Sequence, residues 1–356
     1  MKHLILTGAC YVDTILSIPR FPGEDDKLRA TACQIRRGGN CPNSIEVLLQ
    51  LLQPPKSANV PGADQDAEVA TYLVASLPAR DAPATAMIAR SFRPAAAGVD
   101  GDARRPNLDL CLYRDGHMAP ASSYVLRSAA TGSRTIVNHS DLPDMTADEF
   151  LAVAVRFFDS QTSPAAATRH TSSTVCSWWH FEGRIPETTS ACIEHLLSRR
   201  DASNDIVISV EVEKPDRKGL RDLAAMADVV FYSKSWAEDQ GYDSAEACLC
   251  GEAASLPQAS LLLCTWGAQG ASALAPGSGD HVVSCPASPV PTSKVVDAVG
   301  AGDTFVAGIL YKLVSLSVQG ESPHLDVSDD TARAALAFAV DLATRKIQID
   351  GFQGLV

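Results

Sequence analysis

Asp297-Ala298-Val299-Gly300-Ala301-Gly302-Asp303-Thr304-Phe305 is a Gly-Ala-Gly turn that runs straight into an acid and then into a helical pattern. From there Phe305, Val306, Ile309, Leu310, Leu313 and Val314 recur at helical spacing, and Lys294-Val295-Val296 leads in as a short apolar segment. The glycines therefore sit at a helix N-terminus, where free backbone N–H groups and the positive end of the dipole favour an anion. Gly300 and Gly302 carry no side chain that would hold a phosphate away from that backbone. A carboxylate in such a place is repulsive unless it acts on something. Asp303 either caps the helix, as Asp commonly does, or accepts the proton of a hydroxyl that attacks a phosphorus held beside it. The two roles are compatible.

The chain around this turn has 356 residues, 46% hydrophobic and 20% charged, enough for one large α/β domain or two ordinary ones. A net charge of -12 argues against a nucleic-acid backbone or an anionic membrane as partner. No apolar run approaches a membrane span, and Met1 to Leu6 pass into a strand pattern without a secretory signal, so a cytoplasmic setting is expected. The ten cysteines are scattered from Cys10 to Cys285. Cys248 and Cys250 alone lie close together, without a metal-binding partner pair, so free thiols in a reducing compartment are expected.

Residues 3–8 read as a buried first strand, and Asp13 stands in the apolar run that follows, as a turn residue or facing a ligand crevice. Glu24, Asp25 and Asp26 form a small acidic cluster, and residues 27–36 alternate like an exposed strand. Arg36-Arg37-Gly38-Gly39-Asn40-Cys41-Pro42-Asn43 then opens a helical run. Asn40 and Asn43 lie one helical turn apart; carboxamides donate and accept, which suits sugar hydroxyls as well as helix capping. Residues 53–67 and 160–173 are rich in small and polar residues and read as surface insertions, and 95–106 as a connector. Residues 108–112, 123–126 and 134–138 read as successive strands. Thr146-Ala147-Asp148-Glu149 resembles a capping box for a helix over 150–158. His180, in Trp178-Trp179-His180-Phe181-Glu182-Gly183-Arg184, reads as a satisfied core or edge histidine.

From Ile206 strand and helix patterns alternate regularly, the sign of a mainly parallel, doubly wound sheet. Glu211, Glu213, Lys214, Ser233 and Lys234 fall at strand C-terminal ends, where such sheets bind ligands. Gly267-Ala268-Gln269-Gly270 makes a further strand-end loop, and residues 329–346 form a closing helix.

Gly38-Gly39-Asn40-x-x-Asn43 near one end, with Asp297-x-x-Gly300-Ala301-Gly302-Asp303 near the other, resembles the PfkB (ribokinase-like) sugar kinases. Within that family Val210-Glu211-Val212-Glu213-Lys214-Pro215, His180-x-Glu182-Gly183-Arg184, Arg134-Thr135-Ile136-Val137 and Gly351-Phe352-x-Gly354 resemble the ketohexokinase branch. The resemblance implies a single domain with a ribokinase-like three-layer α/β/α doubly wound sheet and a small β-sheet lid, from roughly residues 10–36 and 108–138. It implies ATP-dependent phosphorylation of a ketose with Mg2+, fructose to fructose 1-phosphate as the leading case, and a homodimer through the lid. Asp303 is similar to the catalytic base, and Gly300, Ala301 and Gly302 to the anion hole. Asp13, Asp25, Gly39, Asn40 and Asn43 match sugar-contacting positions. Arg134 matches a lid arginine near the ATP phosphates, and Ser233, Lys234, Gly267, Ala268, Gln269 and Gly270 match the nucleotide side. Many relatives carry Asn-x-x-Glu where this chain has Ser233-Lys234-Ser235-Trp236, so the magnesium-organising residues stay open, with Glu182, Glu211 and Glu213 as candidates. Around Val290-Pro291-Thr292-Ser293 the chain also departs from the proline-rich stretch expected near adenine. A kinase for ribose, adenosine or another nucleoside, and a sugar-sensing relative without catalysis, are the alternatives.

Overall fold

The computed structural model describes residues 2–53, 69–92, 105–162, 174–278, 281–316 and 325–356. The strands are β1 (Lys2–Thr7), β2 (Tyr11–Ile18), β3 (Ala32–Gly38), β4 (Val69–Val74), β5 (Ser76–Pro78), β6 (Leu112–Arg114) and β7 (Ala121–Ser128). The series continues with β8 (Arg134–His139), β9 (Val175–Phe181), β10 (Asn204–Val212), β11 (Val229–Tyr232), β12 (Leu261–Thr265), β13 (Ala271–Leu274) and β14 (Val282–Cys285). The helices are α1 (Asn40–Leu51), α2 (Pro83–Ser91), α3 (Ala147–Thr162), α4 (Pro186–Leu197), α5 (Leu220–Ala225), α6 (Lys234–Asp239), α7 (Ala245–Ala253), α8 (Ala301–Leu316) and α9 (Asp329–Lys346).

Among the described residues the main sheet runs β14-β13-β12-β11-β10-β9-β1-β4, parallel from β4 to β12 and antiparallel at its last two strands. Strand alternation sends successive side chains to opposite faces. Leu4 and Leu6 join a core with α1, α8 and α9, while Ile5 joins a second core with α3, α4 and α7. That is the three-layer ribokinase-like arrangement. The chain leaves β1 for β4 on one side and returns to β9 on the other, which opens a crevice at the C-terminal ends of β1 and β9. Local signals act as read: Thr146 N donates to Glu149 Oε2 at 3.0 Å and Glu149 N to Thr146 Oγ1 at 3.3 Å, a reciprocal capping box.

A separate four-stranded sheet, β3-β2-β7-β8, stands over the strand ends as a lid. Its second half begins at Ala121, not near 108. Of the expected strand over 108–112 only Leu112 is extended, as the first residue of β6; residues 109–111 turn, because the Asn107 side chain accepts from Asp109 N at 2.7 Å and curls the chain there. Leu110 and Cys111 are apolar because they fill the two cores, and β6 pairs with β5 outside the lid. The expected insertions at 53–67 and 160–173 lie, but for Gln53 and residues 160–162, outside the described residues, as does most of the 95–106 connector.

The second core is built around Phe157, whose ring meets Trp179 edge-on at 5.3 Å and Tyr72 at 5.6 Å. Removing a buried ring of this kind costs its transfer free energy plus that of the cavity left behind. Phe157→Ala should lower unfolding free energy by about 3–5 kcal/mol, read from the urea midpoint.

Candidate active site

The ends of β1, β9 and β10 and the N-termini of α1 and α8 meet at one cleft beneath the lid. Gly39, at φ 103°, makes this meeting possible: a Cβ there would collide with the Ala9 carbonyl just past β1. With α1 so close, Asn40 Nδ2 donates to Glu211 Oε2 and Glu213 Oε2, both at 3.0 Å. Asn43 Nδ2 donates to Asp303 Oδ2 at 2.7 Å. Ser44 Oγ holds the Asp303 carbonyl at 3.0 Å, and Thr304 Oγ1 holds that of Gly300 at 2.8 Å, so α8 begins in a fixed place. Gly300, at φ 81°, lies close to Phe352, where a Cβ would strike the ring. Gly302 faces open space instead.

Two cavities share this turn. One, of about 600 Å³, is lined by Asp13, Gly39, Asn40, Asn43, Arg134, Glu182, Glu213 and residues 297–303. The other, of about 630 Å³, is lined mainly by apolar and small residues, among them Gly267, Ala268, Gly270, Pro289, Val290, Phe305, Val340 and Ile347. Val295, Ala298, Ala301 and Gly302 border both.

The structure therefore brings together Asp13, Gly39, Asn40, Asn43, Arg134, Gly300, Ala301, Gly302 and Asp303 around the polar cavity, and Gly267, Ala268 and Gly270 around the apolar one. Other expected site residues lie elsewhere. Asp25 is in the exposed stretch between β2 and β3, Gln269 is within the Gly267–Gly270 loop, and neither lines either cavity. Ser233 caps α6, accepting from Trp236 N at 3.1 Å and donating to the Glu213 carbonyl at 2.7 Å. Lys234 pairs with Glu238 at 3.4 Å and sits 5.5 Å over the Trp266 ring, next to the glycine loop. Sequence reasoning passed over four arginines. Arg36 Nη1 donates to Asp297 Oδ2 at 3.1 Å, Arg37 Nη1 to Asn43 Oδ1 at 3.0 Å, Arg127 bonds the Val296 carbonyl, and Arg184 bonds the Tyr11 hydroxyl. Consecutive arginines ending a strand beside two glycines are a local signal for the first two.

The electrostatics of the cleft are dominated by carboxylates crowded together. Burial first, then Glu211, raises the proton affinity of Asp303 well above the usual carboxylate range; Asn43 opposes this, and Glu213 and Glu182 add to it. Burial and Glu211 push Glu182 up to about 7, and burial and Glu213 push Glu211 up to about 8. His180 is driven down to about 3, chiefly by burial, and stays neutral. Its ring nitrogens meet Ser209 Oγ at 2.9 Å and Glu211 Oε1 at 3.1 Å. Cys41, His180 and Glu211 place one ligand atom each within 4.8 Å of one another. With both imidazole nitrogens engaged, the trio is a satisfied hydrogen-bonded cluster rather than an open metal cage. Among the described residues no helix is long and apolar enough to cross a membrane.

Fold and cleft together define a sugar kinase of the ribokinase-like type. The chain belongs to the PfkB family of carbohydrate kinases, whose profile its residues 112–354 match. It is 27% identical over 359 residues to ketohexokinase from Mus musculus, covering 100% of this chain and 99% of the relative. Ribokinase from Giardia lamblia superposes with a TM-score of 0.69 at 15% identity, covering 99% of this chain and 95% of that one. Arabidopsis thaliana ribokinase, solved with ribose and ATP, gives 0.64 at 16% identity, covering 98% and 93%.

The raised carboxyls link stability to pH. Glu182 and Glu211 hold protons in the folded state to about 7 and about 8, whereas the unfolded chain releases them near 4.5. Between these values the unfolded state binds fewer protons, so rising pH favours unfolding. The melting temperature of the ligand-free protein should fall from about pH 5 to about pH 8, and Glu211→Gln should flatten the slope in scanning fluorimetry.

Proposed function

We propose that the protein transfers the γ-phosphoryl group of ATP to a hydroxyl of a ketose, with fructose giving fructose 1-phosphate. The observation that carries this reading is the shared wall of the two cavities: the Ala301–Gly302 turn at the start of α8 borders both, with Asp303 on the polar side. A nucleotide in the apolar cavity would present its terminal phosphate at that turn. A sugar in the polar cavity would meet it from the other side. The ribose and ATP of the Arabidopsis complex and the full-length similarity to a ketohexokinase support the choice of substrates. Asp13, Asn40 and Asn43 offer acceptors and donors suited to a polyol.

In the proposed step the sugar hydroxyl oxygen forms a bond to the γ-phosphorus while the bond to the β-phosphate oxygen breaks, and ADP leaves with the electron pair. Asp303 accepts the hydroxyl proton. The backbone N–H groups of residues 300–302 and the lid's Arg134 face the charge on the phosphoryl oxygens, so positioning and electrostatics do most of the work. The carboxylates Glu182 and Glu213, both lining the cleft, suit a divalent cation. Magnesium, when bound, supplies charge neutralisation for the nucleotide phosphates.

Asp303→Asn should lower turnover about 10²–10⁴-fold, measured as ADP release from Mg-ATP with fructose, other ketoses, ribose and adenosine. Turnover only with ribose or adenosine would overturn the ketose assignment. A folded protein that binds sugar but turns over none would overturn the kinase mechanism in favour of sensing.

The lid's outer face bears on assembly. Ile35, Thr14, Tyr124 and Val137 pair in one row across four strands, and Ile35, Tyr124 and Val137 are 60%, 48% and 58% exposed. An apolar row at that level of exposure suits a partner surface of like kind, and a second copy of the lid, as in a homodimer, is the occupant we assign. Tyr124→Asp should shift the protein from dimer to monomer in sedimentation velocity. A wild-type monomer at tens of micromolar would rule the dimer out.

A further inference from the structure

Arg37 is the penultimate residue of the lid strand β3, yet its side chain is 1% exposed within the main domain. The neighbouring Arg36, on the opposite face of the strand, reaches Asp297 at the head of the anion-hole segment. Arg37 turns the other way. Its Nη1 donates to Asn43 Oδ1 at 3.0 Å, its Nε donates to Ser91 Oγ at 3.1 Å, its Nη2 pairs with the Glu46 carboxylate, and its guanidinium lies 4.6 Å from the Phe92 ring centre. Asn43 in turn donates from Nδ2 to Asp303 Oδ2 at 2.7 Å.

A carboxamide has two ends of nearly equal size and opposite hydrogen-bonding character. Nothing in the shape of the Asn43 pocket need decide which end meets Asp303. Arg37 decides it chemically, because a guanidinium has donors and no acceptor and so takes the carbonyl end. The amino end is left for Asp303, where it stabilises the ionised carboxylate. With the amide reversed, a carbonyl oxygen would face the acid and favour its protonated form.

Resting on the kinase reading above, we propose that Arg37 is a positioning residue that fixes the Asn43 amide and thereby keeps Asp303 in the form able to accept a proton. Arg37 lines neither cavity, so it acts through Asn43 and not on a substrate. The charged groups facing Asp303 are Glu211 and Glu213 from β10 and its end, and Glu182 beyond β9, all of which favour its neutral form. The Asn43 amide opposes them. On the Arg37 side stand Glu46 from α1, with Asp13 and Cys10 from the β1–β2 region. Deleting one partner of the buried Arg37–Glu46 pair would strand the other charge, so the informative variant is the double substitution Arg37→Met with Glu46→Gln.

The test is a carboxyl 13C NMR titration of Asp303, assigned by difference from Asp303→Asn, in the wild type and the double variant, alongside the pH dependence of kcat/KM. The Asp303 titration should move up by about one pH unit. The acidic limb of kcat/KM should move with it, so that activity is lost about tenfold on that limb and recovered at alkaline pH. Arg37→Lys, which keeps the charge but not the planar fork, should fall between. An unmoved Asp303 titration in the folded double variant, or a loss of activity equal at every pH, would overturn the proposal. The NMR titration reads it even if no sugar is turned over, an outcome that would instead count against the kinase reading.

Discussion

Four carboxylates, Asp303, Glu182, Glu211 and Glu213, converge on a cleft whose floor is a helix N-terminus suited to an anion. Burial first, and then the neighbouring acids, raise the proton affinity of Asp303, Glu182 and Glu211. The arrangement persists because each acid is met by a donor. Asn40 bridges Glu211 and Glu213, Asn43 meets Asp303, and Ala9 N donates to Glu182 Oε2 at 2.7 Å. Much of the surrounding structure brings those donors near: Gly39 at positive φ lets α1 approach the end of β1, and the reversal of strand order places β1 beside β9.

The lid enters this balance through its arginines. Arg36 and Arg37 leave one strand in opposite directions, and Arg127 bonds the Val296 carbonyl from a second strand. Asp297, where Arg36 ends, is also held by the buried Lys346 at 3.3 Å and accepts from Val299 N at 3.0 Å. Burial would raise its proton affinity, but the Val299 N–H, Lys346 and Arg36 together outweigh that and lower it. Asp297, three residues before the Gly300–Gly302 turn, is thus tied both to the lid and to the last helix. Displacing the lid would disturb both the turn and the support of Asp303.

Much of the local structure was legible in short stretches. The Gly-Ala-Gly-Asp turn, the Gly-Gly-Asn-x-x-Asn stretch, the Thr146–Glu149 box and the helix over Asp329–Lys346 each state a local preference that the structure keeps. Where sequence reading failed, a long-range demand had replaced the local one. In Leu108-Asp109-Leu110-Cys111-Leu112 the apolar residues Leu110 and Cys111 fill two cores, and that pattern mimics a strand although Asn107 turns the chain.

By itself the sequence determined the periodicities, the caps, the glycines that must sit at turns and the acid placed at a helix N-terminus, because backbone sterics and hydrogen bonding act within a few residues. Only the tertiary structure decided that Asn43 meets Asp303 across 260 positions, that Asn40 meets Glu211 across 171, and that Arg36 and Arg37 part to opposite faces of one strand. Those partnerships depend on strand order and on the depth at which α1 and α8 pack on the sheet. Both are set by burying two cores at once, and no stretch of a few residues encodes either.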